Sequence, residues 1–158
     1  GLDFTIETPS GAYRRGVGRD GTSWSTIVPA NYGYVRRAKP GADGEALDFY
    51  IGSAPDAQTV WVIDQLDPDT GVFDEHKGFI AFESLPAVIA TYRSAFSDGR
   101  ADERLGAVHR VSIDGLKAWV RGDDTVSPLG TLVGKRRPYV NGRANGRANG
   151  HFNGDARA

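Results

Sequence analysis

The chain has 158 residues, of which 39% are hydrophobic and 25% charged, and its formal net charge is −1. This length suits one domain with its own core, and the lack of cysteine excludes disulfides and thiolate metal sites. No apolar run approaches the roughly 20 residues that cross a bilayer, and no secretory signal is visible, so we expect no membrane partner.

The first half of the sequence predicts short strands separated by turns. Apolar residues alternate with polar ones from Leu2 to Glu7, and Asp20-Gly21 predicts a hairpin between "YRRGV" and "SWSTIV". Three further strands are predicted in "ALDFYI", "TVWVIDQL" and "GFIAF", which lie at 46–51, 59–66 and 78–82. The segment "PDTG" predicts a turn between the last two.

The second half predicts helices. Ser84 can cap a helix whose apolar residues follow a 3.6-residue period up to Phe96, and Pro86 is tolerated in its first turn. Ser112 can cap a shorter helix that ends at Gly122. Strands followed by one or two helices indicate a mainly β (α+β) fold, a small barrel or sheet with helices packed on one side.

The end of the chain differs in composition from the rest. The repeat "VNGRANGRANGHFNGD" has almost no apolar periodicity, and residues 135–158 carry a net charge of +5, which leaves −6 for the rest. We therefore predict a folded domain over 1–125 and a flexible basic tail over 126–158. A small β-barrel with a basic tail could bind nucleic acid, but the acidic body argues against that function.

Two acidic segments are the strongest candidates for chemistry. The first holds Asp43, Glu45 and Asp48, and the second, "DPDTGVFDEHK", holds Asp67, Asp69, Asp74 and Glu75, followed by Lys77. Both segments lie at predicted strand ends or turns. Acidic residues in turns are usually solvated, so either segment alone predicts little. Carboxylates that converge from two segments predict a site for hard cations such as Mg²⁺ or Mn²⁺.

These segments, taken in order, resemble the soluble family I inorganic pyrophosphatases. "NYGY" followed by "DGEALD" resembles the core signature of that family, and Asp69 and Asp74 match its pair of aspartates five residues apart. Lys77 follows that pair, and Tyr92-Arg93 resembles a Tyr-Lys pair on the C-terminal helix of the family. The ordered set "ETPSGAYRRG", "RDGTSW", "NYGYV", "DGEALD", "VIDQ" and "FDEHK" is similar also to the compact pyrophosphatase-like domains of phage and prophage multidomain proteins.

The resemblance implies a fold, an activity and a set of roles. The fold is a small OB-type closed β-barrel with one or two flanking C-terminal helices, and the activity is metal-dependent hydrolysis of pyrophosphate. The implied roles are metal ligands (Asp43, Asp48, Asp69, Asp74), catalytic residues (Glu45 as general base, with Tyr32 and Lys77) and substrate-binding residues (Arg14, Tyr92, Arg93). The implied setting is the cytoplasm of a bacterial host, or a virion, within a larger phage polypeptide or assembly.

Two departures from the family pattern leave an alternative open. Glu45 stands where the family has aspartate, and its extra methylene moves the base outward by more than an ångström unless the backbone shifts. Misplacement on that scale can cost on the order of 10²-fold in rate. The N-terminal hairpin is also short, so the alternative is a non-catalytic module that keeps the fold for binding or for virion structure.

Overall fold

The computed structural model describes residues 1–122 and 124–129, which form eight strands and three helices. The strands are β1 (Phe4–Thr8), β2 (Tyr13–Val17), β3 (Ser23–Ile27), β4 (Asn31–Val35), β5 (Asp48–Ile51), β6 (Thr59–Leu66), β7 (Phe73–Ile80) and β8 (Leu105–Ser112). The helices are α1 (Leu85–Ser94), α2 (Ala101–Arg104) and α3 (Ile113–Gly122). The mainly β, α+β class predicted from the sequence is confirmed.

Six strands form one sheet in the order β1-β4-β5-β7-β6-β8, and β2 pairs with β3 in a separate hairpin. Neighbouring strands are antiparallel except β5 and β7, which run parallel. The closed barrel expected from the resemblance is not seen, since no pairing among the described residues joins β1 to β8.

The central strand β6 is buried on both faces, which explains its nearly continuous apolar sequence. Because successive side chains of a strand point to opposite faces, Trp61 and Ile63 enter the core beneath α1, and Val60 and Val62 enter the core beneath α3. The helices therefore cover both faces of the sheet, and the expectation that they pack on one side is wrong.

Both predicted helices are confirmed with their caps. The Ser84 hydroxyl accepts a hydrogen bond from the N–H of Ala87, and α1 starts at the next residue. The Ser112 hydroxyl accepts one from the N–H of Gly115, and α3 ends at Gly122 as predicted. Each cap satisfies an N–H that the first turn of a helix leaves unpaired.

Three elements were not predicted, namely β4, β8 and the short α2. β4 is "NYGYV", in which Gly33 interrupts the β-branched and aromatic pattern that marks a strand. β8 is "LGAVHRVS", where a glycine and a buried histidine similarly break the alternation. In addition, β7 starts at Phe73, five residues before the predicted strand, so Glu75 and Lys77 belong to this strand.

The described chain continues to pack after α3. Leu129 is buried in the core beneath α3, and the Thr125 hydroxyl donates a hydrogen bond to the carbonyl of Pro40. The core thus includes a residue beyond the predicted boundary at 125. The Asn-Gly repeats of the predicted tail lie outside the described residues. No helix in the described part of the chain is long and apolar enough to cross a membrane.

A buried polar cluster joins the last segment to the sheet. Asp64 of β6 accepts a hydrogen bond from His109 Nε2 at Oδ2, over 2.7 Å, and one from the N–H of Leu129 at Oδ1, over 3.1 Å. His76 Nε2 lies 3.3 Å from the same Oδ1 atom. Burial by itself raises the pKa of Asp64, but the contacts with His109, His76 and Leu129 outweigh burial and lower that pKa to about 2.

This lowered pKa predicts an acid-dependent stability. As the pH falls below the ordinary value of 3.8, the unfolded chain binds the Asp64 proton before the folded chain does. The stabilisation is complete above about pH 4 and is lost as the pH falls toward 2, an effect of roughly 2–3 kcal/mol. We expect the difference in free energy of unfolding between the wild type and Asp64→Asn to shrink over that range in urea titrations.

The matched control is Asp56→Asn, since the Asp56 side chain is exposed. Its difference from the wild type should change little with pH. An Asp64→Asn difference that stays constant from neutral pH to about pH 3 would contradict the assignment.

Gly33 is fixed by the close approach of two strands. A Cβ atom on this residue would lie 1.8 Å from the carbonyl oxygen of Thr5 on β1, which is a backbone atom that cannot rotate away. We therefore expect Gly33→Ala to separate β1 from β4 and to lower the free energy of unfolding by about 1–3 kcal/mol or more. Gly122→Ala is the control, because its Cβ meets nothing within 4 Å; equal stability of the two variants in urea would refute this account.

Candidate functional site

Strand β7 places two charged side chains on the α1 face of the sheet. Glu75 and Lys77 are two residues apart and so point to the same face, whereas His76 between them points to the α3 face. The Lys77 Nζ atom lies 3.0 Å from Glu75 Oε1. Two alternate residues of one strand thus form an ion pair at the edge of the core.

The neighbouring strands bring Asp48 and Tyr32 to the same ammonium group. Asp48 pairs with Lys77 in the parallel register of β5 and β7, and Tyr32 comes from β4 on the other side of β5. Lys77 Nζ lies 2.6 Å from Asp48 Oδ2 and 3.1 Å from the Tyr32 hydroxyl, and that hydroxyl donates a hydrogen bond to Asp48 Oδ2. Three of the predicted site residues are therefore in direct contact.

In each carboxylate of this network, one oxygen makes all the contacts with other side chains. Asp48 uses Oδ2 for both Tyr32 and Lys77, and Glu75 uses Oε1 for both Lys77 and Gln65. Asp48 Oδ1 and Glu75 Oε2 have no hydrogen bond from any described residue. The side chains of Asp48 and Glu75 are 20% and 23% exposed, so solvent reaches both residues.

The charges of the network are strongly coupled. Burial alone would lower the pKa of Lys77, but the Tyr32 oxygen, Glu75 and Asp48 raise it well above its ordinary value, so the ammonium stays charged. Burial raises the pKa of Glu75, and Lys77 partly offsets that effect. Burial also raises the pKa of Tyr32, so its hydroxyl remains a proton donor at neutral pH.

The hairpin of β2 and β3 places the guanidinium group of Arg14 next to this network. The Arg14 guanidinium lies 4.4 Å from the centre of the Tyr32 ring and 5.4 Å from that of Trp24. Arg14 has no carboxylate partner among the described residues. A half-buried guanidinium without a counter-ion, stacked on aromatic rings, is well suited to bind an anion.

The Tyr92-Arg93 pair is divided between the core and the surface. Tyr92 is fully buried, and its hydroxyl donates a hydrogen bond of 3.0 Å to Gln65 Oε1. Arg93 points the other way and forms an exposed ion pair of 2.7 Å with Asp102. Tyr92 is therefore linked to the network through Gln65, and Arg93 does not contact it.

The remaining predicted residues lie outside this network. Asp43 accepts a hydrogen bond from the N–H of Glu45 in the turn before β5, and the Glu45 side chain is exposed. Asp69 forms an ion pair of 2.8 Å with Arg100, and Asp74, at the start of β7, lies 3.4 Å from Arg19. No three acidic or histidine side chains in residues 1–122 and 124–129 are arranged to hold a metal ion.

The network nevertheless fits a divalent cation that is completed by substrate. Mg²⁺ usually takes one or two carboxylates from the protein and obtains its other ligands from waters and phosphate oxygens. The free oxygens of Asp48 and Glu75 supply that number of hard ligands, and both acids converge on Lys77. The donor set is thus compatible with Mg²⁺ or Mn²⁺.

Two members of the network, Glu75 and Gln65, were not predicted as site residues. Glu75 was named only as one carboxylate of the second acidic segment, because no strand was predicted over 73–77 and the face that it shares with Lys77 was not recognised. The run "FDEHKGFI" does contain that signal, because a strand over 73–80 puts Glu75 on the same face as Lys77. Gln65 offered no comparable signal, since its side chain lies in an otherwise apolar strand.

Comparison with known proteins identifies the family. The family model for inorganic pyrophosphatase matches residues 1–121, which include every strand and nearly all of α3. No curated protein and no solved structure showed significant similarity to the chain. The match covers most of the sequence and the whole Tyr32–Asp48–Glu75–Lys77 network, and on that basis the chain belongs to the inorganic pyrophosphatase family.

Proposed function

We propose that this chain hydrolyses inorganic pyrophosphate to two phosphates with Mg²⁺ as cofactor and Mn²⁺ as a substitute. The observation that carries the proposal is the pair of carboxylates, Asp48 and Glu75, which share Lys77 and each keep one oxygen without a hydrogen bond from residues 1–122 and 124–129. Membership of the inorganic pyrophosphatase family supports the same reaction.

Asp48 and Glu75 would hold the cation through their free oxygens. We propose three further ligands for ions that arrive with substrate. They are Asp43 in the turn before β5, Asp69 in the turn before β7, and Asp74 in the first part of β7. The bound cations would neutralise the charge of pyrophosphate and activate water for attack.

The basic groups would bind the phosphates. Lys77 is held by its contacts, which raise its pKa and keep it charged at neutral pH, and Arg14 stacks on Tyr32 with no carboxylate partner in the described part of the chain. Arg93 would have to leave Asp102, but an exposed ion pair of this kind contributes only about 0–1 kcal/mol, so its release costs little. Arg14 and Arg93 can thus offer planar guanidinium groups to phosphate oxygens.

The chemistry requires one proton acceptor. Water attacks one phosphorus atom, the bridging P–O bond breaks, and the second phosphate leaves. In this proposal Glu45 accepts the proton of the attacking water, and the Tyr32 hydroxyl keeps Asp48 oriented by its hydrogen bond. Glu45 lies in an exposed turn, so it would reach the substrate only in the bound complex.

We also propose a phage or prophage setting for the chain, with a place in the host cytoplasm or in a virion. The order of the motifs between Glu7 and Lys77 supports this setting.

A non-catalytic role is the second candidate, and one observation favours it. Arg93 and Asp69 are each engaged in an ion pair with another surface residue, so neither is oriented for phosphate or metal in this structure. A module that keeps the fold without the reaction would bind Mn²⁺ weakly, and calorimetry with Mn²⁺ separates it from an enzyme.

The first test is phosphate release from pyrophosphate with Mg²⁺. We expect the wild type to be active and Asp48→Asn to lose on the order of 10²-fold or more in kcat/KM, since the variant removes a carboxylate that contacts both Tyr32 and Lys77. Asp56→Asn, a change at an exposed aspartate that makes no side-chain contact with the network, should behave as the wild type. Wild-type release at background level with both Mg²⁺ and Mn²⁺ would exclude the proposal.

A second test separates the two glutamates. If Glu45 is the base, Glu45→Gln should lower kcat by about 10²-fold even at saturating Mg²⁺. If Glu75 holds the cation, Glu75→Gln should raise the Mg²⁺ concentration for half-maximal activity by about tenfold or more. Steady-state rates over a Mg²⁺ series measure both effects, and a Glu45→Gln enzyme within twofold of the wild type would rule out Glu45 as the base.

A further inference from the structure

A buried chain of hydrogen bonds connects helix α1 to Glu75. Gln65 is 5% exposed and lies directly opposite Glu75 in the antiparallel register of β6 and β7. Its Nε2 atom is 3.0 Å from Glu75 Oε1, and its Oε1 atom is 3.0 Å from the Tyr92 hydroxyl. The side chain thus bridges a core tyrosine and a site carboxylate.

The chemistry of Glu75 fixes the direction of this chain. An ionised carboxylate only accepts hydrogen bonds, so the amide NH₂ of Gln65 must face Glu75 and the amide oxygen must face α1. The Tyr92 hydroxyl must then donate, and its raised pKa, which burial causes, keeps it protonated. Phe79 and Phe96 pack edge-on against the Tyr92 ring and hold the start of the chain in place.

The two contacts at one oxygen fix how the Glu75 carboxylate is oriented. Gln65 and Lys77 both bind Oε1, from β6 and from β7 itself. Without Gln65, nothing among the described residues except Lys77 would hold the carboxylate, and its plane could turn until both oxygens approach the ammonium. Gln65 therefore fixes the direction in which the second oxygen, Oε2, points.

We propose that Gln65 is a positioning residue that, with Tyr92 behind it, orients the Glu75 carboxylate toward a divalent cation. The inference rests on the proposed function and adds a residue to it that touches neither cation nor substrate. A role in orientation differs from a role in packing, because excess cation can compensate for a misoriented ligand but cannot compensate for a damaged core.

The test uses Gln65→Met, which keeps the length of the side chain and removes the amide. We expect Mn²⁺ binding by calorimetry to weaken by about 10- to 100-fold, as for other residues that orient metal ligands. In phosphate release, excess Mg²⁺ should restore kcat, and the KM for pyrophosphate at saturating Mg²⁺ should stay within twofold of the wild type. Gln58→Met, the same change at an exposed glutamine, should leave both measurements unchanged.

Tyr92→Phe provides a second, milder variant that removes one buried oxygen. We expect it to weaken Mn²⁺ binding by about 3- to 10-fold, and the double variant to bind like Gln65→Met alone, because both changes break one chain. If Gln65→Met gives no cooperative unfolding transition, Tyr92→Phe decides the question.

The outcomes separate this inference from the proposed function. An active wild type whose Gln65→Met variant binds Mn²⁺ within twofold, or whose kcat is not restored by Mg²⁺, overturns the positioning role and leaves the function intact. A wild type that neither binds Mn²⁺ nor releases phosphate overturns both.

Discussion

The ammonium group of Lys77 is the constraint on which the site depends. A charge that is 7% exposed is costly to bury, and it is stable only because Asp48, Glu75 and the Tyr32 hydroxyl surround it. The same contacts saturate one oxygen of each carboxylate and leave the other free. The same arrangement therefore stabilises the buried Lys77 ammonium and leaves carboxylate oxygens for the proposed metal ion.

Strand β7 gives the two faces of the sheet different functions. Glu75 and Lys77 lie on the α1 face in the proposed catalytic network, whereas His76 contacts Asp64 on the α3 face, where Leu129 is also bound. Because alternate residues of β7 point to opposite faces, a solvent-accessible polar cluster lies on one face of the sheet and a buried polar cluster lies on the other. The buried polar cluster joins β6, β7 and β8, so it helps to set the register on which the Glu75–Gln65 contact depends.

The features that could be predicted from the sequence are those that depend only on residues close together in the chain. The caps at Ser84 and Ser112 and the apolar run of β6 were predicted because each depends on nearby residues alone. The strand "NYGYV" was missed because its glycine is explained only by the carbonyl of Thr5, which lies on another strand. Gln65 was missed for a related reason: its two partners are 10 and 27 residues away, and no local pattern relates them.

The proposed roles also differ in how tightly the fold fixes them. Tyr32, Asp48, Glu75 and Lys77 all lie on paired strands, where a displaced side chain would disturb a ladder of hydrogen bonds. Glu45 lies instead in the turn that Gly44 shapes with its positive φ of 81°, outside any strand. A turn can absorb a shift of an ångström at little cost, so the extra methylene of Glu45 stands where the backbone can adjust to it. The same replacement at Asp48 would push against Lys77 and Tyr32, and the family pattern is kept there.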